Sequence, residues 1–193
     1  SRLSEVCSEI YNVPDKLFKD ISDTQTPQGV LAVLQKPEVQ IEEVLSNGKF
    51  FVILDSLQDP GNVGTIIRTA DAAGVSAVLM TKGCVDVYSP KVLRSTMGSI
   101  FHLPIIENLN TANIIMELKS LGYKVIASHL NGQNNYYDED LTDKCAIVVG
   151  NEANGISEET AAMADKLVKI PMPGRAESLN ASVAASIMIY ELV

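Results

Sequence analysis

The chain lacks the cysteine pattern, the apolar length and the basic charge that would place it in several common classes. Its three cysteines, Cys7, Cys84 and Cys145, are odd in number and form no C-x-x-C pair. Neither a disulfide framework nor a zinc site is suggested, and a reducing cytoplasm fits. His102 and His129 stand far apart, without a carboxylate at metal-ligand spacing, which favours structural or solvent-facing roles. The apolar runs Phe50 to Leu54, Ala146 to Gly150 and Ala181 to Ile189 fall well short of the roughly 18 residues that span a bilayer. Lys and Arg number 15 against 24 Asp and Glu, a net charge of −9, which argues against a simple basic nucleic-acid clamp. Neither G-x-G-x-x-G nor G-x-x-x-x-G-K-[ST] occurs, which disfavours dinucleotide and Walker sites. The chain opens at Ser1 with no initiator Met and no basic-apolar-small leader, so the natural protein is expected to start earlier.

What is present is an ordinary globular composition, 46% hydrophobic and 20% charged, in 193 residues, enough for one full domain and part of another. From about residue 50, nearly unalternated apolar runs predict strands at Phe50–Leu54, Ser76–Met80, Leu103–Ile106, Lys124–Ala127, Ala146–Val149 and Leu167–Ile170. Between them, helical spacing predicts helices at Val63–Ala73, Ser89–Met97, Thr111–Leu121 and Glu158–Ala164. The βαβα order implies an α/β fold with a parallel sheet flanked by helices. A last helix, about Ser178 to Leu192, is apolar on nearly every face and is expected to be deeply buried, against another subunit among the options. The first 45 residues read as the tail of a small module: helical pieces over Leu3–Tyr11 and after Pro14, then Thr24 to Gly29 leading into Val30–Leu34. A linker or linking helix fits 37–48, leaving 1–36 and 49–193 as the two parts.

Three segments at strand ends carry chemistry. In Leu54 to Ala70 a strand enters a loop with Pro60, Gly61, Asn62 and Gly64, and a helix bearing Arg68 leaves it. This is either a tight βα turn or a turn whose glycines and free N–H groups favour an anion. In Ile147 to Ile156 a buried strand ends in a turn carrying Glu152, which could neutralise a cationic ligand, accept a hydrogen bond, or cap the helix near Ser157. In Val168 to Ser182 two prolines and a glycine set an extended loop; Ser178 is the expected cap of the last helix, and Asn180 could cap or bind.

Together these segments resemble the signature motifs of the SPOUT superfamily, in particular its SpoU/TrmH-type RNA 2′-O-ribose methyltransferases. The matches are N-x-G-x-x-x-R at Asn62, Gly64 and Arg68, G-N-E-x-x-G at Gly150 to Gly155, and I-P-M-x-G-x-x-x-S-L-N at Ile170 to Asn180. The stretch Lys91 to Ser99 is similar to that family's segment between its first two motifs, and Thr26 to Ala32 to the end of a small N-terminal substrate-binding domain, most of which would be absent. The resemblance implies a C-terminal trefoil knot, homodimers and S-adenosylmethionine bound by Ser128, Leu130, Gly150, Asn151, Glu152, Ile170, Met172, Ser178, Leu179 and Asn180.

The implied reaction moves the sulfonium methyl to a ribose 2′-oxygen. It requires alignment of a poor nucleophile and stabilisation of the developing oxyanion. Arg68 would be central, and since a guanidinium has a pKa above about 12 it serves better as a phosphate and alkoxide partner than as a free base. Asn62 would orient Arg68 or the ribose; Glu152, Ser178 and Asn180 would hold the cofactor and the catalytic loop. RNA contacts are assigned to Arg68, Lys91, Arg94 and Arg175. Between residues 60 and 105, Arg68, Lys82, Lys91 and Arg94 outnumber Asp71 and Asp86, while 38–43 and 138–143 read as acidic solvated surface. The chain by itself is expected to bind RNA weakly. Tyr136 and Tyr137 could stack on a base or pack in their loop. The Thr26–Ala32 stretch favours rRNA over tRNA. A catalytically silent RNA-binding protein of this fold, and a generic nucleotide-binding enzyme such as a dehydrogenase, are the rival readings.

Overall fold

The structure is a computed structural model that describes residues 5, 7–22, 24–130, 132–139, 141 and 143–192. The chain divides into two compact units, 1–37 and 38–193. In the first, α1 (Asp15–Ile21) follows Pro14 as expected and buries no residue. Of the helical piece expected over 3–11, residues 3, 4 and 6 lie outside the described residues, and 7–11 are not helical. Val30, Val33 and Leu34 belong to no helix or strand and are exposed.

In the second unit, the stretch expected to link is a helix, α2 (Ile41–Asn47), whose Leu45 is buried. The Tyr123 hydroxyl lies 2.7 Å from the carbonyl oxygens of Leu45 and Gly48. The elements that follow are β1 (Phe50–Leu54), α3 (Pro60–Ala72), β2 (Ala77–Thr81), α4 (Pro90–Ser95), β3 (Ile105–Leu109), α5 (Thr111–Ser120), β4 (Lys124–Ser128), β5 (Asn134–Asn135), β6 (Cys145–Val149), α6 (Glu158–Met163), β7 (Lys166–Lys169) and α7 (Ala181–Tyr190). The strands form one sheet in the order β3-β2-β1-β6-β4-β7-β5, and every pairing is parallel.

The unalternated strands are covered on both faces, as parallel sheets require. Val52, Leu54, Ile147 and Val149 pack with Val63, Ile66, Val92, Ala185 and Met188 of α3, α4 and α7. Phe51, Ile53, Ala146 and Val148 face Leu45, Ile114, Ile115 and Leu118 of α2 and α5. β3 begins after Pro104, because Leu103 still donates its N–H to Ser99 and Pro104 has no N–H for a ladder. β5 carries no apolar signal, being two asparagines paired with β7.

Helix α3 starts at Pro60, three residues before the expected start at Val63. The Asp59 side chain accepts the Asn62 N–H at 2.8 Å, and Pro60 at the first helical position supplies a ready-made φ. Asn62 therefore stands in a helical turn rather than in a loop. Gly64, expected to let a ligand approach, serves packing instead: a Cβ there would lie 1.7 Å from Ser95 Oγ and 3.0 Å from the Ser95 carbonyl carbon. Alanine is the better helix former by about 1 kcal/mol. Gly64→Ala is nonetheless expected to lower stability in urea unfolding by about 1–3 kcal/mol, through displacement of α4, and Ser95→Gly to recover most of the loss.

Two surface expectations change. Helix α7 is not buried all round: Ala185, Met188 and Ile189 are buried and Ser186 Oγ meets Thr69 Oγ1 at 3.1 Å, but Val183 and Tyr190 are 47% and 56% exposed. Within the acidic stretch, Glu139 is not solvated surface. Its carboxylate accepts Lys124 Nζ at 2.8 Å and Asn134 Nδ2 at 2.7 Å, with Lys166 Nζ at 3.6 Å, pinning the loop after β4 to the start of β4 and β7. These donors hold its carboxyl below the ordinary value. Asp140 lies outside the described residues.

Candidate active site at the carboxyl edge of the sheet

Parallel pairing brings the ends of β1, β6, β4 and β7 to one edge, so the segments that follow them are neighbours in space although up to about 120 positions apart in sequence. The second motif starts at Gly150, where a Cβ would lie 2.2 Å from the Gly155 carbonyl carbon and 2.3 Å from Ile156 N. The turn it permits is closed by Asn151 N to Gly155 O at 2.9 Å and Gly155 N to Asn151 O at 2.8 Å. Asn151 Oδ1 accepts the Ala153 and Asn154 N–H groups, and its Nδ2 donates to Ser56 O at 2.9 Å.

That turn points Glu152 at the first motif. Its Oε1 accepts Asp59 N and Asn62 Nδ2, each at 3.1 Å, and its Oε2 accepts Gln58 N at 3.4 Å. The anion attracted by this loop is thus the protein's own carboxylate, and the cap of α6 is Ser157, not Glu152. Asn62, 8% exposed, accepts Asn180 Nδ2 on its Oδ1 at 2.9 Å. Asn180 Oδ1 in turn accepts Ser182 N at 2.9 Å and Val183 N at 3.3 Å, capping α7. The expected cap, Ser178, lies two residues upstream, outside any helix or strand, and is exposed. Asn180 fits the cap because its short amide reaches two N–H groups while its other end stays free to donate. A single directed chain, Asn180 to Asn62 to Glu152, therefore joins the three motifs.

Partial burial pushes the Glu152 carboxyl up, but the Asn62 amide and the backbone N–H groups of Asp59 and Gln58 outweigh it, leaving it below its ordinary 4.5. A carboxyl depressed on folding stabilises the folded state above its ordinary value, and the gain is lost as pH falls through the lower, folded value. The Asn62 side-chain amide resonance is therefore expected to titrate with a midpoint below 4.5, and Glu152→Gln to abolish that titration.

Around this chain lies an open groove of about 580 Å³ lined by Gln58, Asp59, Pro60, Asn62, Asn151, Glu152, Ala153 and Asn180. Its lining holds two carboxylates and no basic side chain, a donor set that suits a ligand carrying positive charge with polar edges. Of the residues expected at the site, Asn62, Asn151, Glu152 and Asn180 meet here. Ser128, Gly150 and Ile170 are half-buried at the same sheet edge, Met172 and Leu179 are half-buried in the third motif, and Leu130 is 70% exposed. Arg68, Lys91, Arg94 and Arg175 are exposed and outside the groove lining. Gln58 and Asp59 have no motif signal of their own, although Asp-Pro ahead of a helix is a cap signature that marks the backbone there.

The remaining residues pack locally. Tyr136 is half-buried against the core and meets Tyr137 edge-on at 5.0 Å. His102 Nδ1 pairs with Asp71 Oδ2 at 3.1 Å. Burial pushes the Cys145 thiol up to about 12. Among the described residues, no group of His, Cys, Asp and Glu is arranged to hold a metal ion, and no helix is long and apolar enough to cross a membrane.

Comparison with known proteins agrees with this geometry. The chain is 38% identical over 184 residues to the 23S rRNA (guanosine(2553)-2′-O)-methyltransferase RlmP of Bacillus subtilis, covering 95% of this chain and 72% of that one. The AdoMet-bound rRNA methyltransferase from Sinorhizobium meliloti superposes with a TM-score of 0.86 at 36% identity, over 93% of this chain and 69% of that chain. The SpoU methyltransferase AviRb from Streptomyces viridochromogenes, in complex with AdoMet, gives a TM-score of 0.75 at 31% identity, over 81% and 64%. With residues 49–190 matching its sequence model, the chain belongs to the SpoU rRNA methylase family.

Proposed function

We propose that this protein transfers a methyl group from S-adenosylmethionine to the ribose 2′-hydroxyl of a nucleotide in structured RNA, with rRNA favoured over tRNA. The observation that carries the reading is the Asn180–Asn62–Glu152 chain, which assembles three distant motifs around one anionic groove. The groove's Asp59 and Glu152 suit the positive charge of S-adenosylmethionine, and Ser128 ends β4 while Gly150 and Ile170 follow the adjacent β6 and β7, where Leu130, Asn151, Met172, Ser178 and Leu179 can complete a cofactor bed. When bound, the cofactor supplies an electrophilic methyl group.

The chain's own residues do the rest. Arg68, exposed on α3, holds a phosphate and stabilises the 2′-oxygen as it loses its proton to phosphate or water. Asn62, locked by Glu152 and Asn180, anchors the first turn of α3, the helix that carries Arg68 six residues further on. Lys91, Arg94 and Arg175 extend the RNA contact. The exposed Val183 and Tyr190, seven positions apart on one face of α7, support a homodimer. A trefoil knot is supported by β7 lying between β4 and β5 while α7 returns to the α3 side of the sheet. Residues 1–36 are read as the end of a substrate-binding domain, and a cytoplasmic site of action goes with an RNA substrate.

Calorimetric titration with S-adenosylmethionine and, in parallel, NAD is the first test. One methyl-donor site per subunit and no NAD binding is the expected result; NAD binding alone would overturn the reading. Transfer of labelled methyl to rRNA and not tRNA, blocked by a 2′-deoxy target nucleotide, then checks the substrate. Cofactor binding without transfer to either RNA would point to a silent RNA-binding protein.

A further inference from the structure

We infer that the buried carboxylate of Asp55 is a positioning residue that sets both walls of the groove; this rests on the methyltransferase reading. Asp55 follows β1, is 6% exposed, and ties its N–H to Val149 O at 2.8 Å, directly before the second motif. Its side chain gathers three hydroxyls from three other elements. Oδ1 accepts Thr81 Oγ1 and Thr111 Oγ1, each at 3.2 Å, and Oδ2 accepts Thr160 Oγ1 at 2.9 Å. Among the described residues it has no basic partner. A buried carboxylate satisfied only by neutral hydroxyls is costly to keep, and the arrangement asks for a use.

The use lies one residue on. Ser56 has φ 59°, a left-handed backbone that a side-chain-bearing residue adopts only when its surroundings impose it. Thr81 Oγ1 accepts Ser56 N at 3.1 Å while donating to Asp55, Ser56 Oγ donates to Lys82 O at 3.1 Å, and Ser56 O accepts Asn151 Nδ2 at 2.9 Å. Asp55 thus holds Thr81, Thr81 holds the Ser56 turn, and that turn both orients Asn151 and launches Gln58 and Asp59 toward Glu152. The Thr160 arm braces the other wall: Thr160 Oγ1 meets Ser157 Oγ at 2.9 Å, at the start of α6 just after the Glu152 turn.

Thr81→Val removes the hydroxyl at nearly constant volume, and Thr81 is 2% exposed, so its loss acts through Ser56 and not through solvent. Thr81→Val is expected to weaken S-adenosylmethionine binding about ten-fold, the effect of one lost hydrogen-bonded support, with a cooperative melt. It should also speed amide exchange at 56–59 and 151–157. Ser56→Gly takes a left-handed φ unaided, at the cost of the Ser56 Oγ bond to Lys82 O. Added to Thr81→Val, it should restore affinity and exchange protection. A merely structural Thr81 would not be rescued by a glycine at position 56, so failure of rescue, or an unchanged Thr81→Val, overturns the inference. If the unsubstituted chain binds no S-adenosylmethionine the methyltransferase reading fails, whereas the exchange pattern still decides whether Asp55 and Thr81 position these walls.

Discussion

Arg68→Ala is expected to lower methyl transfer by about two to three orders of magnitude, the loss that follows removal of one pre-placed stabiliser of a developing oxyanion, while S-adenosylmethionine affinity stays within about two-fold. The split follows from position. Arg68 lies six residues after Asn62 on α3, about 9 Å further along the helix axis. It is exposed and absent from the groove lining. Among the described residues no hydrogen bond or ion pair holds it, so its charge is available to an RNA phosphate. Arg68→Lys keeps the charge but loses the planar fork and should recover only part of the rate. Single-turnover transfer together with calorimetry separates the two quantities. An equal loss of cofactor binding and turnover would remove Arg68 from the role given to it.

Gly150→Ala should have the largest effect on the site itself. The added methyl would stand 2.2 Å from the Gly155 carbonyl carbon, 2.3 Å from Ile156 N and 2.5 Å from Gly155 O, all backbone atoms that no rotamer change can move aside. Relief requires opening the paired hydrogen bonds between Asn151 and Gly155, and with them the placement of Glu152 against Asp59 and Asn62. Asn62 and Asn180 then lose the acceptor at the end of their chain. The expected outcome is a stability loss of about 1–3 kcal/mol in denaturant unfolding and loss of cofactor binding by about a hundred-fold or more. Gly174→Ala, in the third motif with nothing within 4 Å of the added methyl, is the control and should leave stability unchanged. A Gly150→Ala protein that binds S-adenosylmethionine normally would show that the groove does not depend on this turn.

Much of the architecture is legible in the sequence. The runs at 50–54, 124–127 and 146–149 became strands within a residue of their expected ends, because a strand buried on both faces must be apolar without interruption. Boundaries moved where a cap or a proline competes with hydrophobic period. Pro60, Gly61 and Asn62 read as loop but form the first turn of α3, and the cap of α7 passed from Ser178 to Asn180. Site residues were legible as types at spacings, as in Asn62, Glu152 and Asn180. Their partners were not, since a hydrogen bond across 90 or 118 positions leaves no local trace.

Local pattern therefore sufficed for the class of fold and six of the seven strands, and it supplied the candidate site residues. Long-range contact alone assigned their duties. It turned Glu152 into the anion that the first loop had seemed to await from a ligand, gave Gly64 to helix packing against Ser95, and took Glu139 from an acidic surface into a clamp with Lys124 and Asn134. It also bent Ser56 into a left-handed turn above Asp55, which nothing in its neighbours' identities foretells. Burial and periodicity are properties of a segment and its own side chains, whereas the partner of a polar group depends on which strand ends the sheet order brings together.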